Sequence, residues 1–98
     1  MIIRSRAPVR ISFGGGGTDV SPYCEERGGC ALNVTINKYA HATLESRNDQ
    51  DIQIESGDFL KTLRFGSVDE MTYNNDLDAL KAAVKRLNER KIGMNLFL

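Results

Sequence analysis

The chain has 98 residues, and its 13 Lys plus Arg balance 13 Asp plus Glu, so it lacks the positive field that a nucleic-acid backbone would require. No stretch approaches the ~20 apolar residues of a membrane-spanning helix, and Met1 to Arg6 carries no long apolar run, so a cytoplasmic protein that binds neither nucleic acid nor membrane is expected. At this size a fold buries only about 60 to 70% of its unfolded surface, which implies a modest core.

The first element is a strand over about Ile2 to Phe13. Val9, Ile11 and Phe13 alternate with Arg10 and Ser12, placing the apolar residues on one face and Arg10 on the other. Pro8 lacks an N–H for a ladder and so suits a bend or an edge strand. Four consecutive glycines, Gly14 to Gly17, then remove every side chain from the turn, and Thr18-Asp19 reads as the start of a helix. A glycine backbone followed by a helix start is suited to close approach by an anion or a sugar. Ser21 can cap a short helix with Pro22 at its first position and Glu25 and Glu26 in its first turn, ended by Gly28-Gly29.

Ala31 to Thr43 alternates again, with Leu32, Val34 and Ile36 expected to face the core. Asn33, Thr35 and Asn37 would then line a cleft or meet water. The polar stretch Ser46 to Asp51 reads as an exposed turn. Ile52 and Ile54, then Leu63 and Phe65, form two alternating strands around Ser56-Gly57-Asp58, the pattern of a hairpin. Asn75 or Asp76 can cap a helix whose Leu77, Leu80, Val84 and Leu87 face inward, with Lys81, Lys85 and Arg86 mostly outside. After Gly93, Met94 to Leu98 reads as a final, largely apolar strand. Ending on Met94 to Leu98 leaves an apolar strand without its continuation, and such an edge is expected to favour self-association.

Two phosphate motifs are excluded at the glycine loop. A Walker A loop ends in Gly-Lys-Ser/Thr, and no lysine follows Gly17. The Rossmann spacing would put its third glycine where Asp19 stands, and an acid there would repel a pyrophosphate. Instead, a carboxylate on a loop beside a strand arginine suits a hydroxyl-rich ligand. Asp19 can accept hydrogen bonds from sugar hydroxyls, and the Arg10 guanidinium can bind phosphate or lower the pKa of a nearby hydroxyl. Arg10 also fits a surface arginine paired with Asp19, Asp19 a helix cap, and the glycines a flexible connector. Cys24 and Cys30 read as small, partly buried hydrophobes, with no zinc spacing and no secretion signal to favour a disulfide. His41 has no triad or zinc partner within a legible pattern, and the series from Lys81 to Lys91 reads as a solvated helix face.

The run Arg6-Ala7-Pro8-Val9-Arg10-Ile11-Ser12-Phe13-Gly14-Gly15-Gly16-Gly17-Thr18-Asp19-Val20 resembles the first motif of the GHMP kinases, the superfamily of galactokinase, homoserine kinase, mevalonate kinase and phosphomevalonate kinase. Its Gly-Gly-Gly-Thr-Asp ending, in place of Gly-Glu-His-Thr-Asp, is similar to that of the bacterial D-glycero-D-manno-heptose 7-phosphate kinases. Gly28-Gly29-Cys30-Ala31-Leu32-Asn33-Val34-Thr35-Ile36-Asn37-Lys38-Tyr39-Ala40 extends the resemblance. It implies an α+β fold of the ribosomal protein S5 domain 2-like type, a mixed, mainly antiparallel sheet with helices on one face. It also implies transfer of the ATP γ-phosphoryl group, with Mg2+, to O1 of a heptose 7-phosphate, a reaction that rests on positioning and charge stabilisation.

In that scheme Arg10 binds or polarises the substrate, Gly14, Gly15, Gly16 and Gly17 shape the sugar pocket, and Thr18 and Asp19 complete it. The family's Pro-x-x-x-Gly-Leu-Gly-Ser-Ser-Ala loop is not in the chain. Residues 1–98 are therefore expected to be the N-terminal portion of a GHMP kinase domain, truncated before the ATP-phosphate loop. On this expectation they hold the sugar side of the site, contain no metal site or principal ATP ligands, and are inactive alone. The competing expectation is a non-catalytic module that binds a sugar phosphate or a partner chain.

Overall fold

A computed structural model describes residues 1–98. In chain order it contains β1 (Ile2–Gly14), a 3-10 turn (Gly16–Thr18), α1 (Tyr23–Arg27), β2 (Leu32–Ser46), β3 (Ile52–Ser56) and β4 (Lys61–Phe65), followed by a second 3-10 turn (Val68–Glu70), α2 (Asp78–Leu87) and β5 (Met94–Phe97). The strands form one sheet in the order β1-β2-β5-β3-β4. β2 with β5 and β3 with β4 are antiparallel, whereas β3 and β5 are parallel. The fold is α+β with a mixed, mainly antiparallel sheet. By compactness the chain divides into one unit of residues 1–5 and 41–98 and another of residues 6–40.

In the first unit the hairpin falls where alternation places it, with Ile52 opposite Phe65 and Ile54 opposite Leu63. The parallel pairing of Ile52 with Met94 and Ile54 with Leu96 needs a long crossover, which β4, the second 3-10 turn and α2 supply. The register sets Leu44, Leu96, Ile54 and Leu63 in one row and Ser46, Met94, Ile52 and Phe65 in the next. Val68, Met71, Leu77, Leu80 and Val84 pack on that face, and Ile52 and Ile54 are fully buried. The opposite face carries Glu45, Asn95, Gln53 and Arg64 across the same four strands, a polar row facing water as expected for a sheet covered on one side.

α2 departs from its sequence expectation at three places. It starts at Asp78, its N-cap position is Leu77 at φ 52, and no side chain caps it. The Asp78 carboxylate instead accepts hydrogen bonds from the Asn74 and Asn75 N–H groups. Lys81, expected outside, is 1% exposed. Its Nζ donates to the Thr72 carbonyl at 2.9 Å, Asn74 Oδ1 at 2.6 Å and Asp78 Oδ1 at 3.3 Å, and lies 5.9 Å from the Phe65 ring centroid. A buried ammonium is tolerable because its protons meet acceptors. Leu87, expected inside, is 81% exposed, because the buried stripe runs from Lys81 through Val84 to Asn88, whose amide bonds both the N–H and the carbonyl of Ile92.

β5 also corrects an expectation. It is paired on both sides, with β2 and with β3, so it presents no open edge for self-association. The outer strands are β1 and β4, and Pro8 accordingly lies in an edge strand. Before β5, the turn from Arg47 to Asp51 docks on Gly93. The Arg47 N–H donates to the Gly93 carbonyl at 2.9 Å and the Gly93 N–H to the Asp49 carbonyl at 3.0 Å, while the Arg47 guanidinium forks onto Asp49 at 2.6 and 2.7 Å and reaches Asn95 at 3.1 Å.

In the second unit Leu32 and Val34, expected to face the core, are exposed instead, and Ile36 is only half-buried. Val9, Ile11, Phe13, Leu32 and Val34 are all exposed, Phe13 by 68%. Alternation gave these residues a common strand face, and no element of that unit covers it. The Arg6 guanidinium stacks 4.8 Å from the Tyr39 ring centroid, a cation–π contact that ties β1 to β2.

Candidate functional site

Arg10 lies on β1, four residues before the strand ends at Gly14. Gly15 follows at φ 89, a conformation that glycine reaches without strain. Gly16 to Thr18 form a single 3-10 turn in which the Thr18 N–H donates to the Gly15 carbonyl at 3.1 Å and the Asp19 N–H to the Gly16 carbonyl at 3.2 Å. The glycine loop therefore does not run directly into an α-helix, as the Thr-Asp pair suggested. Asp19 ends the 3-10 turn, and α1 begins only at Tyr23.

Arg10 and Asp19 are exposed, and no ion pair joins them. The bland account of Arg10 as the partner of Asp19 does not describe this structure. Arg10 on β1 and Asp19 at the end of the 3-10 turn stand in the chain on either side of the Gly14 to Gly17 run. A guanidinium fork, a carboxylate acceptor and the backbone of a glycine run are the donor and acceptor types that polyhydroxyl and phosphate ligands use.

Thr18 differs from its neighbours in being partly buried and bonded. Its hydroxyl donates to the Gly15 carbonyl at 2.8 Å and accepts from the Cys30 N–H at 3.3 Å. A Cβ on Gly29 would come within 3.0 Å of Thr18 Oγ1, and one on Gly15 within 2.8 Å of the Cys30 carbonyl carbon. Motif reading missed this interlock. Its only sequence signal is the second glycine pair, Gly28-Gly29, which also ends α1, with Gly28 at φ 71.

The Ser21 hydroxyl, just before α1, and the Cys24 thiol, on it, donate to the Glu25 carboxylate, and these bonds hold its pKa below the ordinary value. Asn33 is half-buried, while Thr35 and His41 are exposed on β2. Cys24 and Cys30 are free thiols. No group of three or more His, Cys, Asp or Glu side chains gathers in a way that could hold a metal ion, and no helix is long and apolar enough to cross a membrane.

Comparison with known proteins places this loop in context. No protein-family model matches the chain. It is 35% identical over 85 residues to a D-glycero-alpha-D-manno-heptose 7-phosphate kinase of Campylobacter jejuni, a match covering 87% of this chain and 25% of that protein. The crystal structure of a D-glycero-D-manno-heptose 1-phosphate kinase from Bacteroides thetaiotaomicron superposes with a TM-score of 0.80 at 31% identity, covering 99% of this chain and 33% of that one. The mevalonate kinase of Methanococcus jannaschii shares the fold, with a TM-score of 0.59 at 20% identity over 99% of this chain and 31% of that one. The chain thus spans about a quarter of the curated relative's length and about a third of the solved structures'.

The class these similarities define is that of the GHMP kinases, whose N-terminal fold this chain shares. Within it, the resemblance in sequence and structure is to the heptose phosphate kinases.

Proposed function

We propose that residues 1–98 form the sugar-phosphate-binding part of an ATP-dependent sugar kinase whose acceptor is O1 of D-glycero-D-manno-heptose 7-phosphate. The observation that carries this reading is the 35% identity to a heptose 7-phosphate kinase over 87% of the chain. The exposed Arg10 and Asp19 flanking the Gly14 to Gly17 loop support it. Asp19 accepts hydrogen bonds from sugar hydroxyls, the Gly14, Gly15, Gly16 and Gly17 backbone and Thr18 shape the pocket, and Arg10 binds a substrate oxygen or polarises the accepting hydroxyl. ATP supplies the phosphoryl group. In this proposal Mg2+ and the nucleotide phosphates are held by residues beyond this chain, which corresponds to the portion of the domain before the ATP loop. The chain alone is inactive, and the kinase is cytoplasmic.

The test replaces the corresponding third of the Bacteroides thetaiotaomicron kinase with residues 1–98 and assays ATP-dependent phosphorylation of heptose 7-phosphate, galactose and mannose. The expected result is activity on heptose 7-phosphate in the chimera and none in the 98-residue chain. Arg10→Ala and Asp19→Asn should each lower the chimera's kcat/KM by at least about tenfold, the loss of one charge-assisted hydrogen bond. A folded, ATP-binding chimera that phosphorylates none of these sugars would overturn the proposal.

A further inference from the structure

We propose that Thr18 is a positioning residue: its hydroxyl clasps the glycine loop to the Gly28-Gly29-Cys30 segment and so fixes the loop backbone and the adjacent Asp19. A threonine hydroxyl has one proton to give and two lone pairs to receive. Here the proton goes to the Gly15 carbonyl at 2.8 Å, and a lone pair receives the Cys30 N–H at 3.3 Å. The hydroxyl's one proton and one of its two lone pairs are thus engaged within the protein, and it acts on a ligand through the loop.

The two chain segments meet at backbone level. Gly15 has no room for a Cβ, which would come within 2.7 Å of Ala31 Cα, and at Gly29 a Cβ would come within 3.0 Å of both the Thr18 carbonyl carbon and Oγ1. The second glycine pair therefore has a task beyond ending α1, since it lets the start of β2 lie against the turn that carries Thr18. Asp19 follows directly, with its N–H already bonded to the Gly16 carbonyl, so the clasp holds the backbone from which its carboxylate extends. A group held from outside the ligand's reach in this way sharpens geometry without contacting substrate.

The inference concerns the loop itself, and only its ligand arm rests on the proposed function. The experiment compares the wild-type chain with Thr18→Ser, which keeps the hydroxyl, and Thr18→Val, which keeps the shape and removes it. Amide hydrogen exchange is followed by NMR, and heptose 7-phosphate is titrated into each protein. Thr18→Ser should match wild type in both. Thr18→Val should lose protection at the Cys30 amide, keep protection between β1 and β2, and bind the sugar phosphate about tenfold more weakly, the equivalent of one hydrogen bond of about 1.4 kcal/mol. Gly29→Ala, which retains the hydroxyl but displaces it, should behave as Thr18→Val does.

Unchanged Cys30 protection in Thr18→Val, or equal loss in Thr18→Ser, would overturn the clasp. Lost protection with unchanged affinity would overturn its role in positioning. If the wild-type chain binds no heptose 7-phosphate, the proposed function fails, and the exchange pattern alone decides for or against the clasp.

Discussion

Replacing Gly93 by alanine tests how tightly the Arg47 to Asp51 turn is seated on β5. A Cβ there would come within 2.8 Å of the Asp49 carbonyl carbon and 2.9 Å of Asp49 Oδ1. Carbon atoms pack at about 3.5 to 4.0 Å, so the two backbones must separate by about 1 Å. That movement stretches the 3.0 Å bond from the Gly93 N–H to the Asp49 carbonyl and the 2.9 Å bond from the Arg47 N–H to the Gly93 carbonyl beyond useful length. Each is worth about 1 kcal/mol, against which alanine restricts the unfolded chain by about 0.4 to 1 kcal/mol. The net expectation is a loss of about 1 to 2 kcal/mol, or roughly 5 to 15 °C in Tm for a domain of this size. Gly57→Ala is the control, since its Cβ would meet only the Leu98 carbonyl oxygen at an ordinary 3.5 Å, and it should shift Tm by no more than about 2 to 4 °C. Thermal melts followed by circular dichroism measure both. A Gly93→Ala protein that melts with or above wild type would refute the reasoning.

Three further outcomes are expected. Lys81→Met should lower stability by about 2 to 3 kcal/mol in a urea melt, because it removes the ammonium that gathers the Thr72 carbonyl and Asn74 Oδ1; no change would return Lys81 to a solvated face. Ile54→Ala, at a fully buried position beneath α2, should cost about 2 to 5 kcal/mol by the same measurement, through lost burial and a residual cavity. The hydrogen bonds from Arg47 hold the Asp49 pKa below its ordinary value. A carboxylate depressed in the folded state contributes stability that is fully present above the unfolded value of about 3.9 and is lost as pH falls through the lower folded value. Tm should therefore drop as pH is taken from about 5 downward, and Arg47→Met should flatten that drop; identical pH profiles would exclude the pair as its source.

Much of the fold is legible in the sequence, because period-two alternation marks β1, β2 and the β3–β4 hairpin, and Leu77, Leu80 and Val84 mark α2. The burial of Lys81 is not. It depends on a carbonyl nine residues back, and nothing in helical spacing shows that the chain returns there to absorb the charge. Alternation likewise gives Val9, Ile11 and Phe13 a shared face without saying what covers it, and apolar content marks β5 as a strand without giving its neighbours. At the candidate site, Arg10, the four glycines and Asp19 stand out because backbone freedom and charge are local properties of the sequence. The engagement of Thr18 with Cys30 depends on a contact twelve residues away and becomes visible only with the fold.

The central place of β5 governs the order in which the sheet can be completed. The β3–β4 hairpin is local and can form within microseconds once its residues are available. β2 and β3, however, have no pairing with each other, and both wait for Met94 to Phe97 to enter between them. During synthesis the keystone of the sheet thus emerges after both of the strands it joins, and until it arrives those strands expose unpaired N–H and C=O groups to other chains. Deleting Met94 to Phe97 would leave a gap in the middle of the sheet, whereas removing as many residues from the start of β1 would trim only its margin.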